Sequence, residues 1–186
     1  MGQKKKKPKQ KKKDEGDIWK LKEMLTEYGL SIQTVAPDGN CLFRAFALQH
    51  CGEEDRHCEY RQTCCDYLSS HSDDFKQFHD SDTETFEQYL DKMKEDATWG
   101  SQMELSALCS AYGVSAVVFQ ADGVHLELGL AEPSQPTVLI SFHDDEHFNA
   151  VTFFGDELET LEEIRLRIKP GNIKSKKVVN QNLVKV

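Results

Sequence analysis

Apolar residues recur at helical spacing through the first half of the chain and at strand spacing through much of the second half. The first helical run is formed by Ile18, Leu21, Leu25 and Tyr28. Side chains three or four positions apart lie on one face of a helix, so this run predicts an amphipathic helix that packs on the protein body. Gly29 follows at the position where such a helix is expected to stop.

Five further helical segments are predicted between residues 42 and 112. The apolar runs that predict them cover residues 42–48, 60–68, 75–78, 86–93 and 105–112. Either Ser81 or Thr83 is expected to cap the fourth of these helices. Ser101 and Glu104 match the capping-box pattern at the start of the fifth helix, and Gly113 follows its end.

Strands are predicted where short apolar or alternating runs are bounded by turn residues. These runs cover residues 30–35, 114–120, 124–130, 137–143 and 147–154. Asp122-Gly123 is a hairpin signal between the second and third of them. A closing helix is expected over residues 156–168. Because helices come first and strands later, the order predicts an α+β domain and not an alternating parallel one.

The chain has 186 residues, of which 38% are hydrophobic, and this is enough for one domain with a real core. We expect the domain to cover residues 17–168, between a disordered lysine-rich tail at 1–16 and a basic tail at 169–186. No apolar run reaches the roughly 18 to 20 residues of a membrane span, and none follows the N-terminal lysines as in a secretory signal. We therefore expect a monomer that is cytoplasmic, with the nucleus as a second location.

Charge is divided unevenly along the chain, although the formal net charge is −9. Residues 1–13 hold eight lysines, residues 169–186 hold five, and neither segment has an acidic residue. The segment between them is strongly acidic, which disfavours nucleic-acid binding by the folded surface and suits a basic protein substrate. The lysine tails are candidate contacts for nucleic acid, an import receptor or an anionic membrane.

Six cysteines are present, namely Cys41, Cys51, Cys58, Cys64, Cys65 and Cys109. Without an export signal, reduced thiols are expected and not a disulfide framework. Cys58, Cys64 and Cys65 lack the paired C-x-x-C spacing of a zinc site, so neither a metal nor another cofactor is expected.

The stretch Asp38-Gly39-Asn40-Cys41 places a cysteine between a polar turn and the start of an apolar helix. Unpaired backbone N–H groups and the positive end of the helix dipole favour the thiolate at such a position. Gly39 allows the backbone to approach a reacting carbonyl group without an intervening side chain. The pattern predicts a nucleophilic thiol at Cys41.

A thiol nucleophile needs a base, and histidine titrates in the right range. His147 and Asn149 lie two positions apart on a predicted strand, so their side chains project from the same face. An amide beside an imidazole can fix its tautomer and orientation. This pair therefore completes a nucleophile, base and orienting set with Cys41, although periodicity alone leaves a structural role for His147 open.

The other histidines are weaker candidates for the base. His50 is on the predicted helix of Cys41 but more than two turns away. Surface positions are expected for the histidines in polar stretches, His57, His71 and His79. His125 and His143 lack the paired amide pattern of His147.

Three blocks of sequence resemble the ovarian tumour (OTU) family of cysteine proteases in their order and spacing. The blocks are residues 38–45, Trp99-Gly100 with Glu104-Leu105, and residues 147–151. The resemblance covers about residues 30–154. It implies a papain-related α+β fold with a small, mostly antiparallel sheet sandwiched by helices, and removal of ubiquitin or polyubiquitin from proteins without a cofactor.

The same resemblance implies that Cys41 is the nucleophile, His147 the general base and acid, and Asn149 the residue that orients His147. Asp38 matches the family's aspartate before the nucleophile, and we expect it mainly to shape the turn. The oxyanion hole is expected from the backbone amides of this turn, those of Asp38, Gly39, Asn40 and Cys41.

Ser101 departs from the family pattern, because many relatives carry a second glycine at this position. We expect the difference to affect the shape of the local loop and not the activity. Trp99 is expected in the core or in a cleft wall. Two other functions remain open at this level. One is a noncatalytic module that binds ubiquitin or associates with RNA or ribonucleoprotein, and the other is a protease for another ubiquitin-like modifier.

Overall fold

The computed structural model of the protein describes residues 17–79, 83–123, 125–129, 135–153 and 159–160. The predicted lysine-rich tails lie outside these residues. The helices are α1 (Ile18–Glu27), α2 (Cys41–Cys51), α3 (His57–Ser70), α4 (Ser72–Phe75), α5 (Phe86–Met93) and α6 (Gln102–Tyr112). Short 3-10 helices cover Glu54–Arg56 and Lys76–Phe78. The strands are β1 (Leu30–Gln33), β2 (Ser115–Gln120), β3 (His125–Leu128), β4 (Pro136–His143), β5 (His147–Phe153) and β6 (Glu159–Thr160).

The strands form one sheet in the order β1-β5-β4-β2-β3, and β6 pairs with the start of β4. All of these pairs are antiparallel except that of β2 with β4. The predicted α+β class, with its mostly antiparallel sheet, is therefore confirmed. The register of the β4–β5 hairpin places His143 opposite His147.

The sheet is buried on both faces, which explains why β2 is a nearly continuous apolar run. On one face, Ala116 and Val118 of β2 join the main core with α2, α3, α5 and α6. On the other face, Val117 and Phe119 pack with the α1 residues Leu21 and Leu25 in a second core. The predicted amphipathic helix thus covers the back of the sheet, while α2 lies on the opposite face.

Two predictions about helices are wrong. The cap of α5 is Thr85, neither Thr83 nor Ser81, because Thr85 and Gln88 form a capping box with each other. The closing helix predicted over residues 156–168 is contradicted at Glu159–Thr160, which form β6. The rest of that segment lies outside the described residues. Among the described helices, none has the length and apolar character needed to cross a membrane.

Candidate active site

Cys41 is the first residue of α2, and 7% of its surface is exposed. Burial raises the pKa of its thiol above the ordinary value, and it outweighs the opposing hydrogen bonds from the backbone amides of Phe148, Leu42 and Cys41 itself. The amides at the helix start therefore favour the thiolate as the sequence predicts. Because desolvation is the larger effect, the free protein nevertheless favours the protonated thiol.

The turn before Cys41 is shaped by the side chain of Asp38. Its Oδ1 accepts a hydrogen bond from the backbone N–H of Asn40 at 3.0 Å, and its Oδ2 accepts two from Arg44, at 2.7 and 3.0 Å. The Arg44 guanidinium is the main reason that the pKa of Asp38 lies well below its usual range. The Asp38 carboxylate thus stabilises the turn. The backbone N–H of Asn40, which was expected in the oxyanion hole, already donates a hydrogen bond to Asp38.

Asn40 ties the turn to two distant parts of the chain, a role that the sequence did not predict. Its buried Oδ1 accepts from Arg61 Nη2 at 2.6 Å and from the backbone N–H of Ala97 at 3.0 Å. Arg61 is itself buried and also donates to the Met93 carbonyl oxygen at 3.0 Å. The residue before the thiol is therefore fixed by α3 and by the loop that follows α5.

The β4–β5 hairpin places His147 and Asn149 side by side, as their spacing predicts. His147 Nε2 lies 3.2 Å from Asn149 Oδ1, and Asn149 is fully buried. The same oxygen accepts from the Val35 backbone N–H at 3.0 Å, which fixes the orientation of the amide. A neutral imidazole that donates from Nε2 has no proton on Nδ1, and this is the nitrogen available as a base.

The pKa of His147 is lowered, first by burial and then by the neighbouring His143, while the bond to Asn149 opposes both. A raised pKa for the Cys41 thiol and a lowered pKa for this imidazole have the same consequence. Without substrate, the site favours a neutral thiol and a neutral imidazole over an ion pair.

His143 belongs to this site, although the sequence pattern ranked it below His147. Its Nε2 lies 3.0 Å from Asn149 Nδ2, and its Nδ1 lies 2.7 Å from Asp144 Oδ2. The signal that could have found it is the hairpin itself. Two histidines that flank a short turn pair across the two strands. The side chain of His143 therefore comes close to the amide of Asn149, which lies two positions after His147.

A cleft of about 560 Å³ brings together the predicted nucleophile, base and orienting residue. Cys41, His147 and Asn149 all line it, together with Gly39 of the turn. Trp99 is 57% exposed and borders both this cleft and a neighbouring one of about 350 Å³. Trp99 is therefore part of the cleft wall and not of the core.

Two of the remaining histidines are less exposed than predicted. His57 is buried, and His79 is half-buried with its Nε2 3.0 Å from the Glu84 carbonyl oxygen. His57 also lies near Cys58 and Asp96, and one ligand atom of each lies within 4.8 Å of the others. Cys58 and Asp96 are exposed while His57 is buried, so this group of three candidate metal ligands has two members at the surface. Spacing rules missed this group because Asp96 is distant in sequence.

A buried cysteine at a helix start and a histidine–asparagine pair on the wall of the same cleft define a thiol hydrolase of the α+β class. The sequence matches the model of the OTU-like cysteine protease family over residues 36–148. Because this match spans more than half of the chain, the protein belongs to the OTU-like cysteine protease family.

Individual relatives agree with this assignment. The chain is 33% identical over 148 residues to OVARIAN TUMOR DOMAIN-containing deubiquitinating enzyme 7 of Arabidopsis thaliana. This match covers 79% of this chain and 39% of the relative. It is 33% identical over 134 residues to human OTU domain-containing protein 4, covering 68% of this chain and 11% of the relative. The chain thus spans well under two thirds of the curated relatives that it matches.

Solved structures agree on the fold. The OTU domain of OTUD1 superimposes with a TM-score of 0.67 at 22% identity, covering 74% of this chain and 95% of that one. An OTU domain solved in complex with ubiquitin superimposes with a TM-score of 0.59 at 19% identity, covering 75% and 83%. At these identities the likeness concerns the fold alone.

Proposed function

We propose that this protein is a deubiquitinating thiol isopeptidase. The observation that carries the proposal is the shared cleft, which Cys41 lines with His147 and Asn149. Family membership supports a cysteine protease, and the name of the Arabidopsis relative supports ubiquitin as the modifier. The bond that is cleaved joins the C-terminal glycine of ubiquitin to a lysine of a protein or of another ubiquitin.

The geometry suits acyl transfer by way of a thioester. His147 Nδ1 takes the thiol proton of Cys41 as the sulfur attacks the glycine carbonyl carbon. Backbone amides at the start of α2 and in the preceding turn stabilise the oxyanion of the tetrahedral intermediate. When the C–N bond breaks, His147 gives the proton to the departing lysine amine. Water then attacks the thioester with the same histidine as base and releases ubiquitin and the thiol.

Asn149 serves this cycle by holding one imidazole orientation. Its Oδ1 accepts from His147 Nε2 whether the ring is neutral or protonated, so Nδ1 remains the nitrogen that gains and loses the proton. Asp38 acts on the turn and does not transfer a proton.

The catalytic unit is residues 17–168, because the family match lies inside this range and β6 extends the same sheet to residue 160.

A ubiquitin probe with a C-terminal electrophile tests the proposal. The wild-type protein should form a covalent adduct, and Cys41→Ala should form none. Cys58→Ser is the matched control, because Cys58 is an exposed cysteine outside the cleft and its loss should leave the adduct unchanged. A folded wild-type protein that stays unmodified would contradict the proposal, and reaction only with probes of another modifier would redirect it to that modifier.

The lysine tails are proposed contacts for an import receptor or nucleic acid, in agreement with a protein of the cytoplasm and nucleus. Their charge supports the proposal, since eight lysines fall within the first 13 residues. Deleting residues 1–16 should leave probe labelling unchanged and weaken binding to RNA or to an import receptor. Unchanged binding to both would remove the tail from the function.

A further inference from the structure

The side-chain amide of Asn149 has three hydrogen-bond partners, and these contacts determine which nitrogen of the His143 ring carries the proton. Its Oδ1 accepts from the Val35 N–H at 3.0 Å and from His147 Nε2 at 3.2 Å, so the oxygen side is fixed. The NH2 group must therefore face His143 Nε2, which lies 3.0 Å away. An amide nitrogen only donates, so His143 Nε2 accepts and carries no proton.

The proton of the His143 ring is consequently on Nδ1, and this N–H group faces Asp144. Nδ1 donates to Asp144 Oδ2 at 2.7 Å, and Asp144 Oδ1 accepts from the backbone N–H of Asp17 at 2.8 Å. Both nitrogens of His143 are thus engaged, and neither is free to act as a base. The hydrogen bonds instead form one chain from the start of α1 through Asp144, His143 and Asn149 to His147.

Asp144 has a backbone conformation that a residue with a side chain rarely adopts. Its φ is +55° and that of Asp145 is +59°, and a bond of 3.2 Å from Glu146 N to His143 O closes the turn. Glycine or asparagine is usual at such positions. The bonds of the Asp144 side chain to His143 and Asp17 give a reason for an aspartate at this place.

We propose that His143 and Asp144 are positioning residues, which hold the Asn149 amide so that its oxygen faces His147 Nε2. The inference rests on the proposed function insofar as His147 is the base. Without an acceptor at position 143, the buried NH2 group of Asn149 has no partner, and such a group is costly. The amide then shifts to find one, and His147 loses the bond that selects its tautomer.

Imidazole nitrogen NMR on protein with labelled histidine tests this without ubiquitin, and His147→Gln identifies the signals of His147. Wild-type protein should show Nε2 of His147 protonated and Nδ1 unprotonated. His143→Leu removes the acceptor and should give mixed tautomers, together with about a tenfold slower alkylation of Cys41 by iodoacetamide at neutral pH. His143→Gln offers an amide oxygen near the position of Nε2 and should restore the wild-type signals.

A second pair of variants keeps the test valid if His143→Leu does not fold. Asp144→Gly and Asp145→Gly both relieve a positive φ, but only Asp144 bonds to His143. Both should therefore remain folded, while only Asp144→Gly mixes the His147 tautomers. Unchanged His147 signals in folded His143→Leu or in Asp144→Gly would overturn the proposal, as would an equal change in Asp145→Gly. Normal tautomer shifts in a protein that ignores the ubiquitin probe would instead refute the proposed function alone.

Discussion

A Cβ atom on Gly39 would lie 2.3 Å from the backbone oxygen of Ala97, closer than any real contact of that kind. The φ of Gly39 is +84°, a conformation that side chains rarely tolerate. Ala97 follows α5 and in turn donates from its backbone N–H to Asn40. The turn that precedes the thiol is therefore packed directly on the loop that carries Trp99.

We expect Gly39→Ala to cost about 3 kcal/mol of unfolding free energy, because strain at positive φ adds to a clash with backbone. Alkylation of Cys41 should also change, since the turn must move to relieve the contact. Urea denaturation and peptide-resolved alkylation measure the two effects.

Gly52→Ala separates the strain at positive φ from the clash with the backbone. Gly52 has a nearly equal φ of +81°, and an added Cβ there would have no described residue beyond its chain neighbours within 4 Å. We expect a loss of only about 1 kcal/mol there and no change at Cys41. Equal losses in the two variants would show that the contact with Ala97 does not matter.

Arg61 provides a second prediction, because its charge is buried among uncharged acceptors. It donates to Asn40 Oδ1 and to the Met93 carbonyl oxygen, and its guanidinium lies 4.2 Å from the centre of the Phe43 ring. Lysine cannot make both bonds and stack on the ring. Arg61→Lys should therefore lower the unfolding free energy by about 2 kcal/mol or more, as measured by urea denaturation.

Arg56→Lys is the matched control on the surface, where the arginine forms an ion pair with Glu59. It should leave stability nearly unchanged. Cys41 alkylation should slow in Arg61→Lys and not in Arg56→Lys, since Arg61 contacts the residue next to the thiol and Arg56 does not. If Arg61→Lys changed the unfolding free energy as little as Arg56→Lys does, this account would be contradicted.

Asp38 allows a test of turn formation against proton transfer. Asp38→Asn keeps an oxygen for the Asn40 N–H, whereas Asp38→Ala removes it. If the role is structural, the asparagine variant should retain cleavage within about tenfold of wild type, and the alanine variant should lose about a hundredfold because the oxyanion-binding turn is disordered. Initial rates on a fluorogenic ubiquitin substrate measure both. Equal inactivation of the two variants would instead indicate a required carboxylate.

Local patterns predicted α1 to α6, β1 to β5 and the pairing of His147 with Asn149, but not β6, because helical and strand periods are set by neighbours in sequence. The capping box at Ser101 was equally readable. What the sequence could not provide depends on distant contacts, such as Arg61 on Asn40 or His143 on Asn149. The raised pKa of Cys41 has a related origin, since burial arises from the whole fold and outweighs the local amides.

Thiol reactivity in the free protein should reflect this burial. Because the pKa of Cys41 is raised, its alkylation by iodoacetamide should increase with pH to a midpoint above the ordinary thiol pKa of 9.0. Mass spectrometry of the Cys41 peptide follows the rate. Ubiquitin binding can change the environment of the sulfur, so the measurement is made without it. A midpoint near pH 7 or below would show that the resting site holds a thiolate.

Stability should depend on pH at both ends of the range, with opposite signs for the two groups. The pKa of His147 is lowered from 6.5, so the unfolded chain binds its proton more readily, and this stability is present above about pH 6.5 and lost as the pH falls through the folded pKa. The pKa of Cys41 is raised from 9.0, so its contribution is present below about pH 9 and lost as the pH rises through the folded pKa. Urea denaturation from pH 5 to 10 should therefore show a smaller acid loss in His147→Gln and a smaller alkaline loss in Cys41→Ala, each relative to wild type. Parallel curves for all three proteins would mean that neither group is perturbed by folding.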